Sequence, residues 1–398
     1  MKKKLIRLTT VDLSLDKLLQ GQLSYLSAYY DVIGVASDTG LLKKVEEREG
    51  VKVINVPMHR DISLICDFRS LLSLIKIFHK EKPDILHCNT PKGSLLGLMA
   101  GKITGVPYRV YTVTGLRYQG VKGLFRFVLK TMERISCACA TKVIPEGEGV
   151  LHTLQVDKIT RKPLSVLYFG NINGIDTNYY ALHKNHQNER MLNQCPNSFR
   201  EILGYSSSDF VFIYVGRMVR DKGMNELAGA MSKLTQEILP KKIKLLMVGS
   251  FEKSDPVNPS TECYFKSSPD VKFVGWKDDI RPYLAAADTL VFPSYREGFP
   301  NVPMQAGAMN LPCIVTNING CNEIIRDNLN GKIIQVKSEQ ALYTTMKWFV
   351  LHPEEVKRMS HNSRGFITSR YKQEDVWKAT LEMYNNLFTG KTKSKNAL

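Results

Sequence analysis

The chain has 398 residues, of which 43% are hydrophobic and 23% charged, and its formal net charge is +17. That length exceeds what one hydrophobic core usually fills, so two domains are expected. The composition excludes a disordered chain, the lack of a long uninterrupted apolar run excludes a membrane-spanning helix, and the positive charge favours an anionic partner.

The first residues and the cysteines indicate the compartment. Three lysines precede a short apolar stretch, as in a secretory signal, but Asp12, Asp16 and Lys17 interrupt it and no small-residue cleavage site follows. We therefore interpret this stretch as a first strand. The eight cysteines lack the paired spacing of a metal site, which fits a reducing compartment. Together these observations predict a cytoplasmic protein.

Six short apolar runs alternate with longer helical patterns in the first half, at residues 5–9, 32–36, 51–56, 85–88, 109–113 and 141–144. This alternation predicts a doubly wound parallel sheet. About 11 of the net positive charges lie before residue 171. One helical pattern, residues 123–135, places Phe125 and Phe127 around Arg126, which fits a basic amphipathic helix on an anionic membrane and equally an ordinary helix packed on the sheet.

The second half repeats the alternation, with apolar runs at residues 210–215, 243–248, 271–274, 289–292, 313–316 and 332–334. A second sheet of the same kind is expected, with a cleft between the two. We predict a first domain over residues 1–180 and a second over residues 181–370. A helix is expected over residues 371–389, and the small, polar and basic end, residues 390–398, is expected to be disordered.

The sequence FVFIYVGRMVRDKG, residues 210–223, carries the first group of candidate functional residues. An apolar strand runs directly into Gly216 and Arg217, and Lys222 precedes a helical pattern. The glycine permits close backbone approach, the guanidinium offers a planar fork of donors, the ammonium is a point charge, and the helix start adds its positive end. Either basic residue alone is typical of a solvated surface, but the combination predicts a diphosphate site.

The sequence FPSYREGFPNVPMQAGAMNLPCIVTNINGCNEII, residues 292–325, carries the second group. A buried strand breaks at Pro293 into a loop that holds Glu297, and a helix begins near Asn301. Such a strand, turn and helix expose backbone N–H groups at the carboxyl end of a sheet, where anionic ligands bind. The alternative is an ordinary strand–loop–helix unit with a solvated Glu297.

This stretch resembles the carboxy-terminal signature of the retaining glycosyltransferases of family four, a glutamate, seven residues and a second acidic residue. Here the motif runs from Glu297 to Gln305, so the second acidic position carries an amide. The resemblance implies the gt-B α/β architecture, in which two Rossmann-like doubly wound domains face each other across a cleft. It also implies that the last helix crosses back to the first domain.

The resemblance assigns roles on the donor side. Glu297 contacts the donor sugar, Arg217 and Lys222 neutralise the leaving diphosphate, and the backbone amides after the glutamate contact sugar and phosphate. The family's second carboxylate holds the ribose, which leaves the role of Gln305 open. The remaining expected donor-binding residues are Gly216, Gly249, Trp276, Gly298, Phe299, Pro300, Asn301 and Val302.

The first domain is expected to bind the acceptor. The segments HCNTPKG, residues 87–93, and TVTGLRYQG, residues 112–120, resemble loops of the branch that builds capsule, O-antigen and lipid-linked oligosaccharides. Many relatives carry a histidine at the position of Thr114, so no histidine-assisted step is implied there, and His87 is interpreted as a structural residue. The candidate acceptor-binding residues are Gln22, Asn89, Thr114 and Arg117.

We therefore predict a retaining glycosyltransferase that transfers a sugar from a UDP-sugar to a glycan or a polyprenyl-diphosphate-linked glycan. No metal or other cofactor is expected, because Arg217, Lys222 and the helix amides would supply the counter-charge. An anionic inner membrane surface is a further expected partner, and nucleic acid is not. The alternatives are a UDP-sugar epimerase of the same architecture, which would lack an acceptor site, and a basic nucleic-acid-binding protein, for which the chain lacks basic clusters interleaved with aromatics.

Overall fold

A computed structural model describes residues 2–59, 62–182, 196–253 and 255–389. Its contacts divide the chain into unit 1, which comprises Met1–Gly174 and Gln373–Leu398, and unit 2, which comprises Ile175–Lys372. Both divisions lie a few residues from the boundaries that the sequence predicts, because the chain enters and leaves unit 2 through an isolated bridge between Ile175 and Lys372. The expected disordered end, residues 390–398, lies outside the described residues.

Each unit contains a sheet of six parallel strands. The strands of unit 1 are β1 (Lys4–Val11), β2 (Asp31–Ser37), β3 (Lys52–Asn55), β4 (Ile85–Cys88), β5 (Tyr108–Val113) and β6 (Lys142–Pro145). Those of unit 2 are β7 (Asp209–Val215), β8 (Lys242–Val248), β9 (Val271–Phe273), β10 (Thr289–Phe292), β11 (Cys313–Thr316) and β12 (Gly331–Ile334). Each apolar run of the sequence overlaps one of these strands.

Helices connect the strands and cover the sheets. They are α1 (Asp12–Leu18), α2 (Gln22–Ser27), α3 (Leu42–Glu49), α4 (Leu64–Glu81), α5 (Pro91–Ile103), α6 (Gly123–Cys139), α7 (Glu148–Val156), α8 (Pro196–Ile202), α9 (Met224–Leu234), α10 (Pro259–Ser267), α11 (Arg281–Ala285), α12 (Asn301–Ala308), α13 (Cys321–Ile324), α14 (Glu339–Leu351), α15 (Pro353–Tyr371) and α16 (Gln373–Thr389). Unit 1 contains α1 to α7 together with α16, and unit 2 contains α8 to α15.

The two sheets share one topology. The strand order of unit 1 is β3-β2-β1-β4-β5-β6, and that of unit 2, read in the matching direction, is β9-β8-β7-β10-β11-β12. The strand β7 therefore occupies in unit 2 the place that β1 occupies in unit 1. In both, the direction of winding reverses beside the first strand, between β1 and β4 and between β7 and β10. Ligands of open α/β sheets bind outside the carboxyl ends of the strands at this reversal.

Both faces of each sheet are buried, which explains why the strands are nearly continuous apolar runs. In unit 1, Leu5 packs on one face with α1, α2, α3 and α16, whereas Ile6 packs on the other with α4 to α7. In unit 2, Phe212 and Ile213 divide between two cores in the same way. The two-residue period of a strand thus feeds alternate side chains to opposite layers.

Candidate active site

Three loops meet at the carboxyl edge of the unit 2 sheet with almost no room between their backbones. They follow β7, β8 and β10. A Cβ atom on Gly249, whose φ is +142°, would lie 1.9 Å from the Gly216 carbonyl oxygen, and one on Gly223, whose φ is +72°, would lie 2.2 Å from the Pro293 oxygen. Only glycine fits both the conformation and the space. The two loops that border the reversal, after β7 and β10, therefore form one compact site.

Lys222 and Glu297, two of the expected site residues, carry opposite charges and form an ion pair in this site. Each side chain is 16% exposed, so the pair is shielded from bulk water but still reachable. Ser294 Oγ donates a hydrogen bond of 2.7 Å to Glu297 Oε1. Thr316 Oγ1 in turn donates to the Ser294 carbonyl oxygen. The carboxylate is thus held in position from two sides before any substrate contacts it.

Arg217 lies at the entrance of the same loop. Its side chain is half exposed and its Nη1 is 3.1 Å from Glu252 Oε2. The Tyr214 hydroxyl donates a hydrogen bond of 2.7 Å to the Arg217 carbonyl oxygen, which fixes the backbone below the guanidinium. An exposed pair of this kind contributes little stability. The guanidinium can therefore exchange the carboxylate for a phosphate oxygen at small cost.

The segment after Glu297 presents its backbone rather than its side chains. Phe299 is buried and packs edge-on against Tyr371, with ring centroids 5.5 Å apart. A Cβ on Gly320 would lie 2.5 Å from the Gly298 carbonyl oxygen, so a second loop supports this segment from behind. Pro300 precedes the first residue of α12, Asn301. Gly298 to Asn301 thus place their backbone at the start of α12, where N–H groups suit an anionic ligand.

Gln305 and Trp276 occupy the margins of the site. Gln305 is half-buried on α12, and its amide lies beside the hydroxyl of Tyr180, whose pKa is raised by burial. Trp276 follows β9 and is 61% exposed, which leaves an aromatic face open to a ligand. The Gly249 amide donates to the Gly275 carbonyl oxygen at 2.9 Å and joins the two loops that carry Gly249 and Trp276.

The acceptor candidates of unit 1 differ in their exposure. Asn89 and Gln22 are fully buried: Gln22 Nε2 donates to the Ile172 oxygen at 3.0 Å, and the Asn89 carbonyl oxygen accepts from Thr114 Oγ1 at 2.6 Å. Arg117 is exposed on a short 3-10 turn. The structure therefore joins Asn89 to Thr114, buries the side chains of Gln22 and Asn89, and leaves Arg117 exposed.

Below these loops lies a buried polar cluster that spacing did not reveal. Arg7 Nη1 donates to His87 Nδ1 at 2.8 Å and to the Tyr384 hydroxyl at 2.7 Å. Burial and the Arg7 guanidinium hold the pKa of His87 well below its ordinary value. The imidazole is thus neutral, and its Nε2–H donates to Thr112 Oγ1 at 2.7 Å. This agrees with the interpretation of His87 as a structural residue.

Within the described ranges, no helix is both long and apolar enough to cross a membrane. Over the same part of the chain, no three His, Cys, Asp or Glu side chains are grouped so that they could hold a metal ion.

Comparison with known proteins decides the family. A family model described as Glycosyl transferases group 1 matches residues 197–366, and one described as Glycosyl transferase 4-like matches residues 17–146. The capsular polysaccharide biosynthesis glycosyltransferase CapM of Staphylococcus aureus is 32% identical over 96% of this chain and 97% of its own. The chain belongs to the group 1 glycosyl transferases. A second relative of this glycosyltransferase, an Escherichia coli enzyme named UDP-Gal:alpha-D-GlcNAc-diphosphoundecaprenol alpha-1,3-galactosyltransferase, is 29% identical over 86% of this chain and 85% of its own.

Solved structures share the glycosyltransferase's fold. Anabaena HepE in complex with UDP-glucose superposes with a TM-score of 0.77 at 17% identity, over 96% of this chain and 99% of its own. WaaG, a glycosyltransferase of lipopolysaccharide biosynthesis, has a TM-score of 0.72 at 16% identity, over 98% of this chain and all of its own. The predicted gt-B fold class and the predicted enzyme class are confirmed. A putative UDP-N-acetylglucosamine 2-epimerase from Listeria monocytogenes, with a TM-score of 0.65 at 12% identity, shares the fold alone.

The glycosyltransferase also contains functional candidates that sequence reasoning missed. Ser294 lies within the stretch that carried the resemblance, but no spacing rule connects a serine with a carboxylate three residues later. Tyr180 reaches Gln305 from outside both motifs. A hydroxyl residue directly after a strand and before the glutamate was the available signal for Ser294, whereas Tyr180 gave none.

Proposed function

We propose that this glycosyltransferase moves a sugar from a UDP-sugar to a glycan linked to a polyprenyl diphosphate, with retention at the anomeric carbon. The observation that carries the proposal is the Lys222–Glu297 pair at the strand reversal of unit 2. It sets a cation suited to a leaving diphosphate directly beside a carboxylate suited to sugar hydroxyls. The names of the relatives support the substrate classes, since one uses UDP-galactose on a diphosphoundecaprenol-linked sugar and HepE binds UDP-glucose.

The reaction follows from the charges of the site. A bound diphosphate draws Lys222 and Arg217 away from Glu297 and Glu252, so the Glu297 carboxylate becomes available to orient hydroxyl groups of the sugar. The bond between the anomeric carbon and the diphosphate oxygen breaks, and the acceptor oxygen bonds to the anomeric carbon from the same face. The acceptor proton passes to the leaving phosphate oxygen. Lys222, Arg217 and the amides before α12 stabilise the charge that develops on the diphosphate.

Calorimetry of UDP binding tests the donor site. Lys222→Ala and Arg217→Ala should each weaken UDP binding by about 1.5–3 kcal/mol, or roughly tenfold to a hundredfold, because each removes a charge-assisted hydrogen bond. Arg358→Ala is the matched control, since Arg358 also forms an exposed pair, with Glu355 on α15, away from the site. Unchanged UDP affinity in both site variants removes the proposal.

Independence from metal ions is part of the proposal. Two basic side chains and a helix start supply counter-charge where other transferases use a divalent cation. We expect sugar transfer to continue at an undiminished rate after dialysis against a chelator. If the chelator abolished transfer and added Mg²⁺ or Mn²⁺ restored it, this part of the proposal would be contradicted. The roles of the donor residues would not be affected.

A lipid-linked acceptor implies contact with a membrane, and we propose that a surface of unit 1 makes this contact. All residues from Lys122 to Val128, which begin α6, are exposed, including Leu124 and Phe127 at 80% and 62%. The start of α4 exposes Leu64 and Phe68 at 83% and 60%. Both helices pack against α5, so the two apolar ends belong to one side of the sheet. Their apolar side chains and neighbouring basic residues suit an anionic bilayer surface.

Vesicle co-sedimentation tests the membrane surface. The glycosyltransferase should bind vesicles rich in anionic lipid more strongly than neutral ones, and less strongly as salt increases. The variants Leu124→Ser with Phe127→Ser and Leu64→Ser with Phe68→Ser should each reduce binding. Ile238→Ser, which changes a fully exposed apolar residue of unit 2, should not. If equal amounts of protein sediment with anionic and neutral vesicles, or if all three variants lose binding equally, the proposed membrane surface is contradicted.

A further inference from the structure

Unit 1 carries an open pocket outside the loops described above. It encloses about 590 Å³, within the range of about 300–1,000 Å³ typical of small-ligand sites. Its walls come from the loop before α2, from α2 and the residues after it, from the end of α3 and from α16. The residues that matter for its chemistry are Gln20, Tyr25, Tyr29, Arg48, Glu49 and Trp377.

Three aromatic rings form one continuous wall of the pocket. The ring centroids of Tyr25 and Trp377 are 5.4 Å apart, and those of Tyr25 and Tyr29 are 5.7 Å apart. Trp377 Nε1 donates to Asn173 Oδ1 at 2.6 Å, which fixes the indole. Tyr29 at the rim is 51% exposed. Rigid rings with open faces offer a large contact area at little cost in side-chain entropy.

The backbone makes space for this wall. Gly21 has a φ of +78°, and a Cβ there would lie 2.7 Å from the Trp377 ring. Gly21 also donates its N–H to Glu49 Oε1 at 2.9 Å, and Ser24 donates its N–H to Glu49 Oε2 at 3.1 Å. The polar edge of the pocket is therefore fixed by hydrogen bonds before a ligand arrives.

The Arg48 guanidinium at the polar edge is already paired. Its Nε donates to Glu49 Oε1 at 2.8 Å and its Nη1 pairs with the buried carboxylate of Asp16, which Lys17 and Lys44 also approach, at 3.5 and 4.0 Å. Because its donors are occupied by carboxylates, the guanidinium is a poor partner for a phosphate or nucleotide. A neutral ligand with one apolar face and several hydroxyl groups fits aromatic faces beside fixed polar groups. A pyranose ring has this chemistry.

We infer that this pocket is a subsite for a pyranose of the glycan acceptor. The inference rests on the proposed function, since it takes the acceptor to be a glycan. Gln20 and Gly21, which line the pocket, directly precede Gln22, an expected acceptor residue, in the sequence. The C–H face of the ring lies on Tyr25 and Tyr29, and its hydroxyls reach Gln20 and Arg48, whereas the buried Glu49 carboxylate holds the edge in place.

Saturation-transfer NMR tests the subsite. The ligands are the methyl glycosides of glucose, galactose, N-acetylglucosamine and N-acetylgalactosamine, each with saturating UDP so that the donor site is filled. At least one should receive saturation through its ring C–H protons. Tyr29→Ala should weaken that binding by about two- to tenfold, and Tyr25→Ala with Tyr29→Ala should weaken it further. Tyr179→Ala, at an exposed tyrosine of unit 2, is the matched control and should not change it.

Tryptophan fluorescence provides a second measurement of sugar binding that does not depend on the tyrosine variants being folded. In the protein with Trp276→Phe and Trp348→Phe, Trp377 is the only tryptophan, and its fluorescence should change with the sugar that gives the NMR signal. No signal from any of the four glycosides, or a signal that persists in the double tyrosine variant, overturns the subsite. UDP calorimetry on the wild type and the tyrosine variants, which keep Trp276, separates this outcome from failure of the donor site, because UDP affinity does not depend on the pocket.

Discussion

Gln305 is the residue at which this chain departs from the family motif. An amide accepts through its oxygen but donates through its nitrogen, so it binds a ribose diol less well than a carboxylate does. It also removes a negative charge from near the diphosphate. Charged hydrogen bonds are worth about 1 kcal/mol more than neutral ones, and the repulsion across a wet site is of similar size, so the effects nearly compensate.

Gln305→Glu should therefore change the transfer rate by less than about tenfold. Glu297→Ala should abolish most of the transfer, and Glu297→Gln, which keeps the size and removes the charge, separates the charge of the carboxylate from its shape. Initial rates with a UDP-sugar and a glycan acceptor measure all three. Wild-type activity in Glu297→Ala, or activity in Gln305→Glu alone, contradicts the assigned roles.

Glu133 on α6 is a buried carboxyl group with a raised pKa. Burial raises the pKa of this carboxyl to about 7, although the Tyr111 hydroxyl donates to it at 2.6 Å. Because the folded pKa lies above the unfolded value of 4.5, the folded state prefers the protonated acid. The contribution of Glu133 to stability is therefore greatest below about pH 4.5, falls as the pH rises to about 7, and is then lower by about 3 kcal/mol.

Glu133→Gln should remove this dependence. The melting temperature of the variant should exceed that of the wild type at pH 8 and approach it at pH 5, since the amide keeps a bond to Tyr111 without a buried charge. Thermal unfolding followed by circular dichroism at both pH values measures the difference. The same difference at pH 5 and pH 8 would show that Glu133 does not titrate in this range.

At the scale of elements, the loops of the donor site depend on glycines that have no room for a side chain. Gly249→Ala should lower stability by about 2 kcal/mol or more and weaken UDP binding, because its Cβ would collide with the Gly216 carbonyl oxygen. Gly365→Ala is the control: its Cβ on α15 meets open space, and alanine favours a helix by about 1 kcal/mol. Denaturant unfolding measures the stability of the two variants, and calorimetry measures their affinity for UDP. A Gly249→Ala protein with wild-type UDP affinity contradicts the tight packing.

The sequence predicted strands and loops well where the structure depends on a short range of neighbouring residues. The central strands are buried on both faces, so the run of apolar residues alone marks them, as at Thr289–Phe292. Gly216, Lys222 and Glu297 were found because they follow strands that meet at one sheet edge. The Ser294 and Thr316 hydrogen bonds were not, because they join loops whose mutual position depends on strand order.

At the scale of the whole molecule, contacts between distant parts of the chain escape sequence reasoning entirely. Arg7 and Tyr384 are separated by 377 positions, yet the hydroxyl accepts from the buried guanidinium and joins α16 to β1 within unit 1. The sequence predicted a helix over residues 371–389, and the resemblance implied that it crosses back to the first domain, where the structure has it, but nothing indicated the Arg7–Tyr384 hydrogen bond. Loss of that hydroxyl leaves a buried donor without its acceptor.

Tyr384→Phe should therefore lower the free energy of unfolding by about 1–3 kcal/mol. Tyr30→Phe provides the comparison, because its hydroxyl also bonds to α16, at Asn385 Oδ1, but in a partly exposed place, and a smaller loss is expected. Denaturant unfolding measures both variants. A loss at Tyr30 equal to or above that at Tyr384 would show that the buried cluster does not anchor α16.

The division of unit 1 into two segments has a consequence for synthesis. At about 5–20 residues per second, the ribosome needs about 10–40 s to make the roughly 200 residues of unit 2 that separate β6 and α7 from α16. During that time Leu5 and Val32 lack the apolar side chains of α16, and Arg7 lacks Tyr384. Unit 1, although translated first, therefore completes its core only after the whole of unit 2 has been made.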